Sequence, residues 1–165
     1  MDVGFGDVTT PEPLLTEVPV LLDHPAPRLR AYARESAIAE KLHAMVEFGL
    51  GSSRMKDYYD VWFLSKFYSF DAAVLCLAVR STFERRRTAV PSSEPIGLSA
   101  EFAADPIKLT QWRAFLRRSR LAEDAPPFPE LLAEVHRFLM PILQAANAAE
   151  VPSASWLGSG TWVSQ

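Results

Sequence analysis

Cys76 is the only cysteine in 165 residues, so no intramolecular disulfide framework can form. It lies in the apolar run Ala72 to Val79 and reads as a small core hydrophobe in a reducing compartment. Long apolar runs are missing as well. None approaches the ~18 residues of a membrane span, so no membrane insertion is expected. Met1 to Asp7 carry neither a basic segment nor an apolar one. Nothing there reads as a secretory signal, and a cytoplasmic location is expected. No His/Cys/Asp cluster has zinc-ligand spacing. Internal repeats and long low-complexity segments are also lacking. The net charge is -3, so the molecule as a whole is no polyanion binder.

What is present suits a globular chain. The hydrophobic fraction is 48% and the charged fraction 22%, enough for a real core in one domain, or in one domain and part of another. Charge is distributed unevenly. Between Arg80 and Arg120 nine Lys/Arg face four acids, nine minus four giving about five positive charges, whereas both flanking stretches are net negative. The cations are Arg80, Arg85, Arg86, Arg87, Lys108, Arg113, Arg117, Arg118 and Arg120.

The pattern changes along the chain. Met1 to Phe5 and Glu17 to Leu22 read as two short strands around a loop holding Pro11 and Pro13. Two such strands need a partner strand or a covering helix. From Arg34 the pattern is helical, with Ile38, Leu42, Met45 and Val46 on one stripe and Gly49 or Gly51 at its end. Ser52 or Ser53 is expected to cap a second helix that buries Met55, Tyr58, Val61, Trp62 and Phe67. A third helix is expected from Asp71 to Arg87, then a loop from Thr88 to Ser99. Asp105-Pro106 reads as an N-cap and first helical residue. The helix that follows carries Leu109, Trp112, Phe115 and Leu116 inside. A last helix, Pro129 to Asn147, contains Pro141, which should kink or split it. The expected fold class is mainly α with a short N-terminal β remnant. The expected division is 1–33 as that remnant, 34–150 as a helical domain and 151–165 as a flexible tail, in which Trp156 and Trp162 could dock.

Polar residues are densest on the first two helices. Asp57 and Asp60 lie three apart and project from one helical face, and Lys56 lies four before Asp60. A loop of about four residues makes the helices antiparallel neighbours and can bring Lys41 near Asp57. Spacing alone is equally met by a solvated charged face held by weak pairs. His43 borders the apolar stripe and reads by itself as a packed or surface histidine.

Whole strings are more specific than spacing. Arg54-Met55-Lys56-Asp57-Tyr58-Tyr59-Asp60-Val61 resembles the R-x-K-D-x-Y-D-hydrophobic signature of AbiEii/AbiGii-type nucleotidyltransferase toxins of abortive-infection systems. Ala39-Glu40-Lys41-Leu42-His43-Ala44 is similar to that family's AEKLHA helix, and Asp2-Val3-Gly4-Phe5-Gly6-Asp7 to its DVGFGD strand. Thr82 to Arg86 and Pro95 to Leu98 also resemble family members. The likeness runs in one order from Asp2 to about Pro141.

The resemblance implies the C-terminal, helical part of a polymerase-beta-like nucleotidyltransferase. The full-length form would use Mg²⁺ and an NTP and transfer a nucleotide to an acceptor such as tRNA. Lys41 then matches the helix lysine facing the phosphates. Asp57 matches the acid of the last motif, placing Lys41 or the accepting hydroxyl, or serving as general base. Arg54 and Lys56 would add phosphate contacts, and Asp2 is the candidate metal-binding carboxylate. The segment Arg80 to Arg120 would face tRNA, its alternative being a set of solvated helix faces. A cognate antitoxin is the other implied partner.

The family's metal pair, a Gly-Ser…Asp-x-Asp block, is not among these residues. Gly51-Ser52-Ser53…Asp57…Asp60 imitates it, but its acids are separated by two residues and sit on a helix, whereas an Asp-x-Asp pair relies on strand alternation. The chain is therefore expected to be a truncated toxin, inactive alone. The alternative is a non-catalytic helical module that binds an antitoxin or a separately encoded N-terminal half.

Overall fold

The computed structural model describes residues 11, 14–17, 28–121, 125–158 and 160–164. Among them are the helices α1 (Arg34–Phe48), α2 (Met55–Phe67), α3 (Ala72–Arg86), α4 (Ala100–Ala104), α5 (Pro106–Ser119) and α6 (Phe128–Asn147). Single 3-10 turns occupy Gly49–Gly51 and Ile96–Leu98. Strands β1 (Leu14–Glu17) and β2 (Arg28–Ala31) form an antiparallel ribbon. A second antiparallel sheet has the order β3 (Phe70–Asp71), β4 (Ala154–Trp156), β5 (Trp162–Ser164). The fold is mainly α with a small β part, as expected. No helix among the described residues is long and apolar enough to cross a membrane.

The core forms around α6, which packs against α2, α3 and α4, while α1 lies on α3. Leu131, Val135, Phe138 and Leu139 of α6 are fully buried, as are Ile38 and Leu42 of α1 and Leu75 and Val79 of α3. The 3.6-residue periodicity selects these side chains. Each contributes roughly 1.5–3 kcal/mol by leaving water.

Helix ends follow local chemistry. Gly49 ends α1 at φ +46°, a left-handed value that glycine adopts without penalty. Asp71 caps α3 by accepting from the Val74 amide, and Asp105 caps α5 with Pro106 at its start. At α2 the expected serine cap is replaced. Arg54 holds the N-cap position, and Ser52 Oγ instead accepts from the Arg54 amide at 3.3 Å. The turn at Ile96–Leu98 presses on α1 so closely that a Cβ on Gly97 would lie 2.4 Å from the Met45 carbonyl oxygen. Tyr58 donates its hydroxyl to the Gly97 carbonyl at 3.0 Å from the other side.

Several expectations change. The strand expected at Met1 to Phe5 lies outside the described residues, and the one expected from Glu17 meets β1 only at its last residue. The partner is Arg28–Ala31, whose Arg-Leu-Arg-Ala alternation is short enough to pass for loop. Phe67 is 62% exposed rather than buried, because it shares the outer face of α2 with Phe63 and not the buried face of Tyr58, Trp62 and Ser65. Pro141 does not split α6. It sits on the exposed face with Arg137, so the carbonyl its ring leaves unpaired is open to water. Ala100–Ala104, passed over in the sequence, forms α4, capped by Ser99.

In the described part of the expected tail, 151–158 and 160–164, both tryptophans dock. Trp156 is buried, packs edge-on against Phe138 and donates its indole N–H to the Ser65 carbonyl at 2.6 Å. Trp162 lies parallel to Phe138, 5.5 Å between centroids, and donates to the Phe138 carbonyl. Burial of Trp156 and half-burial of Trp162, both with satisfied N–H groups, outweigh the Ser/Gly composition.

Candidate functional site

α1 and α2 double back on each other through the Gly49–Gly51 turn, and their facing polar residues meet. Lys41 Nζ donates to Asp57 Oδ1 at 2.9 Å and to Asp60 Oδ2 at 2.8 Å. Arg54 Nε pairs with Asp57 Oδ2 at 2.8 Å, and Lys56 Nζ with Asp60 Oδ2 at 2.6 Å. Every residue expected on these two helices thus joins one network. Three cations enclose two carboxylates, and the cluster keeps one positive charge in excess.

Asp57 is buried, and Lys41 and Asp60 are mostly covered, whereas Arg54 and Lys56 reach into solvent. Burial works against the Lys41 charge. The hydrogen bonds to Asp60 and Asp57 outweigh it and hold the ammonium protonated above the ordinary lysine range. Lys41 is therefore a fixed cation and not a base. Both oxygens of Asp57 are engaged, one by Lys41 and one by Arg54. In this arrangement the carboxylate orients both cations.

Lys41, Arg54 and Asp57 line one side of a cleft of about 760 Å³ that runs along α1 toward the end of α3. Its size falls in the range of small-molecule sites. Glu40, His43, Arg85 and Arg86 line the other side. Glu40 bridges two arginines, pairing Oε1 with Arg85 and Oε2 with Arg86, the latter at 2.8 Å. His43 Nε2 sits 2.9 Å from Thr88 Oγ1, with its ring edge-on to Phe83. Burial lowers the His43 pKa; Arg86 adds to this, against opposing pulls from Glu47 and Glu40. No local pattern announces these contacts, since their partners lie 45 or 46 residues away. The position of Glu40 and His43 beside Lys41 on one helix was the signal available.

The basic segment does not form a single surface. Arg80 reaches the carbonyls of Ala145, Ala146 and Glu150, closing the end of α6. Lys108 is 4% exposed and donates to the Ser52 carbonyl at 2.7 Å, anchoring α5 beneath the start of α2. Arg113, Arg117, Arg118 and Arg120 stand exposed on and just after α5.

A divalent ion does not fit this cluster. Among the described residues no group of His, Cys, Asp or Glu could hold one. The two aspartates already face ammonium and guanidinium groups. Asp2, the candidate metal-binding carboxylate, lies outside the described residues.

Comparison with known proteins adds one finding. The family described as nucleotidyl transferase AbiEii toxin, Type IV TA system, matches residues 1–134 of this chain. No curated protein and no solved structure matches it.

Proposed function

This chain belongs to the AbiEii family of nucleotidyl transferase toxins of Type IV toxin–antitoxin systems, and on that premise we propose that its Lys41 cluster holds a nucleoside triphosphate by the phosphates. The observation that carries this reading is the covered Lys41 ammonium, fixed by two carboxylates at the wall of a nucleotide-sized cleft. A cation locked in place before the ligand arrives loses little freedom on binding and can neutralise developing charge during transfer. Asp57 and Asp60 act as positioning residues for Lys41, and Asp57 also steadies Arg54, which adds a second, more mobile phosphate contact. Lys56 stands further out, paired with Asp60, where it adds charge without a fixed direction.

The remaining parts of the reaction are assigned outside this cluster. When bound, a divalent ion supplies Lewis-acid stabilisation of the transferring phosphoryl group. Its ligands would be carboxylates outside the described residues, Asp2 among them, with an Asp-x-Asp block that these 165 residues do not contain. Without that block these 165 residues alone transfer no nucleotide. The acceptor is an RNA 3′ end such as that of tRNA, reached through the exposed arginines of α5, in a cytoplasmic setting. A cognate antitoxin is the counterpart expected from the family.

Nucleotide binding can be measured directly. Titrating the purified chain with labelled nucleoside triphosphate should show binding that Lys41→Met weakens about tenfold or more, the worth of a charge-assisted contact. Equal affinity of wild type and variant would overturn the reading.

A second reading, a non-catalytic helical module that docks an antitoxin or a separately encoded N-terminal half, is favoured by one feature. Phe63 and Phe67 lie 4.6 Å apart on the outer face of α2, both exposed. Gel filtration with the antitoxin, comparing wild type with Phe67→Ser, separates the two. Docking lost in the variant with nucleotide affinity intact assigns that face to the partner and the cleft to the nucleotide.

A further inference from the structure

Phe48 is the last residue of α1, and its ring is left 50% exposed against the same cleft that Lys41 lines. Ala37, Lys41, Ala44 and Phe48 recur at i, i+4, i+7 and i+11, and all line the cleft, so they form one stripe along α1. The alanines make that stripe a trough. A ligand lying along it meets a long cation at the middle, methyl groups on either side and a flat aromatic ring at one end. Lys41 and Phe48 are separated by two helical turns, about 10 Å along the axis. That separation matches the distance from the terminal phosphates of a nucleoside triphosphate to its base.

Arg54 connects the two ends. Its Nε is 2.8 Å from Asp57, which holds Lys41, and its Cζ lies over the Phe48 ring, 5.7 Å from the centroid. The guanidinium therefore steadies the ring by a cation–π contact while facing the phosphate end. An exposed phenylalanine at the mouth of a charged cleft gains nothing from water, and a planar base covering it removes that surface.

We propose that Phe48 is the stacking platform for the nucleobase of the triphosphate held by Lys41 and Arg54; this rests on the reading of Lys41 given above. Stacking engages the π-face that every base shares, so Phe48 contributes affinity for nucleosides and little choice among them. Base identity is then read by edge contacts elsewhere or not read at all. ATP and GTP bind this chain with affinities within a few-fold of each other.

The test compares fluorescently labelled ATP and GTP with inorganic tripolyphosphate, used as a competitor that has phosphates and no base. Phe48→Ala should weaken both nucleotides about tenfold and leave tripolyphosphate competition unchanged, and Phe48→Trp should restore nucleotide affinity. Nucleotide affinity unchanged in Phe48→Ala, with tripolyphosphate still competing, overturns the stacking role. Equal weakening of nucleotide and tripolyphosphate also overturns it, because the ring would then only support the site. If tripolyphosphate fails to compete on the wild-type chain, the phosphate reading of Lys41 itself fails and the stacking role fails with it.

Discussion

Lys41 Nζ stands 2.9 Å from Asp57 Oδ1 across sixteen residues of chain. The contact joins the middle of one helix to the first turn of the next, in a covered position where an ion pair is strongest when complete and most costly when halved. Asp60 lies 2.8 Å from the same ammonium, so neither aspartate alone accounts for its placement.

Removing one acid at a time should therefore give unequal losses. Asp57→Asn leaves Arg54 and half of the Lys41 charge without a partner in the more buried position, and should cost about 2 kcal/mol. Asp60→Asn removes the 2.8 Å bond to Lys41 and the pair with exposed Lys56, but leaves Lys41 on Asp57 at a less buried site, so it should cost about 1 kcal/mol. Urea unfolding of the two variants measures the difference. Equal losses would show that Asp57 has no special place in the pair.

The ionisations give stability a pH signature at both ends. The folded pKa of Lys41 lies above its ordinary value of 10.5, because bonds to Asp60 and Asp57 outweigh burial. Its contribution is complete below pH 10.5 and is lost as pH rises through the folded value. Lys41→Met should therefore lose stability less steeply than wild type above that point. His43 shifts the opposite way, below 6.5, chiefly by burial. The unfolded chain then binds the proton more readily, so stability declines as pH falls below 6.5. His43→Asn should flatten that decline in denaturation curves taken at successive pH values.

Trp156→Ala should destabilise the protein by about 3–5 kcal/mol, the usual loss for a large buried ring. The loss includes the hydrogen bond to the Ser65 carbonyl. Trp162→Ala, at a half-buried site, should cost less. If residues 151–165 were only a frayed end, both variants would melt with wild type.

Gly97→Ala places a methyl 2.4 Å from the Met45 carbonyl oxygen, a backbone atom that cannot rotate away. The strain should cost about 1–3 kcal/mol. It should also loosen the Tyr58 hydroxyl from its carbonyl partner. Thermal melting and the environment of Tyr58 by NMR report on the two effects.

Nucleotidyl transfer itself should be undetectable for this chain alone. Incubation with labelled nucleoside triphosphates, Mg²⁺ and tRNA is expected to leave the RNA unlabelled, while the nucleotide still binds. Robust labelling would show that the Asp-x-Asp block is dispensable and would overturn the division of labour proposed for Lys41 and the metal-binding acids.

The sequence by itself determined the longer helices and the residues that make up the cluster, though not the short α4. Periodic apolar residues, Gly49, and the Asp105-Pro106 start fix α1, α3, α5 and α6 to within a residue or two, because these signals act within a few residues of chain. The strings around Lys41 and Asp57 pointed to the family and to the residues that meet. Contacts that depend on distant chain segments stayed hidden. Glu40 between Arg85 and Arg86, Lys108 beneath Ser52, and Trp156 on Ser65 each join parts of the chain that no local pattern links. Tertiary structure alone decided that Lys41 serves two aspartates at once, and that Phe48 faces the same cleft. Helical spacing sets which side chains share a face, but only packing sets what that face meets.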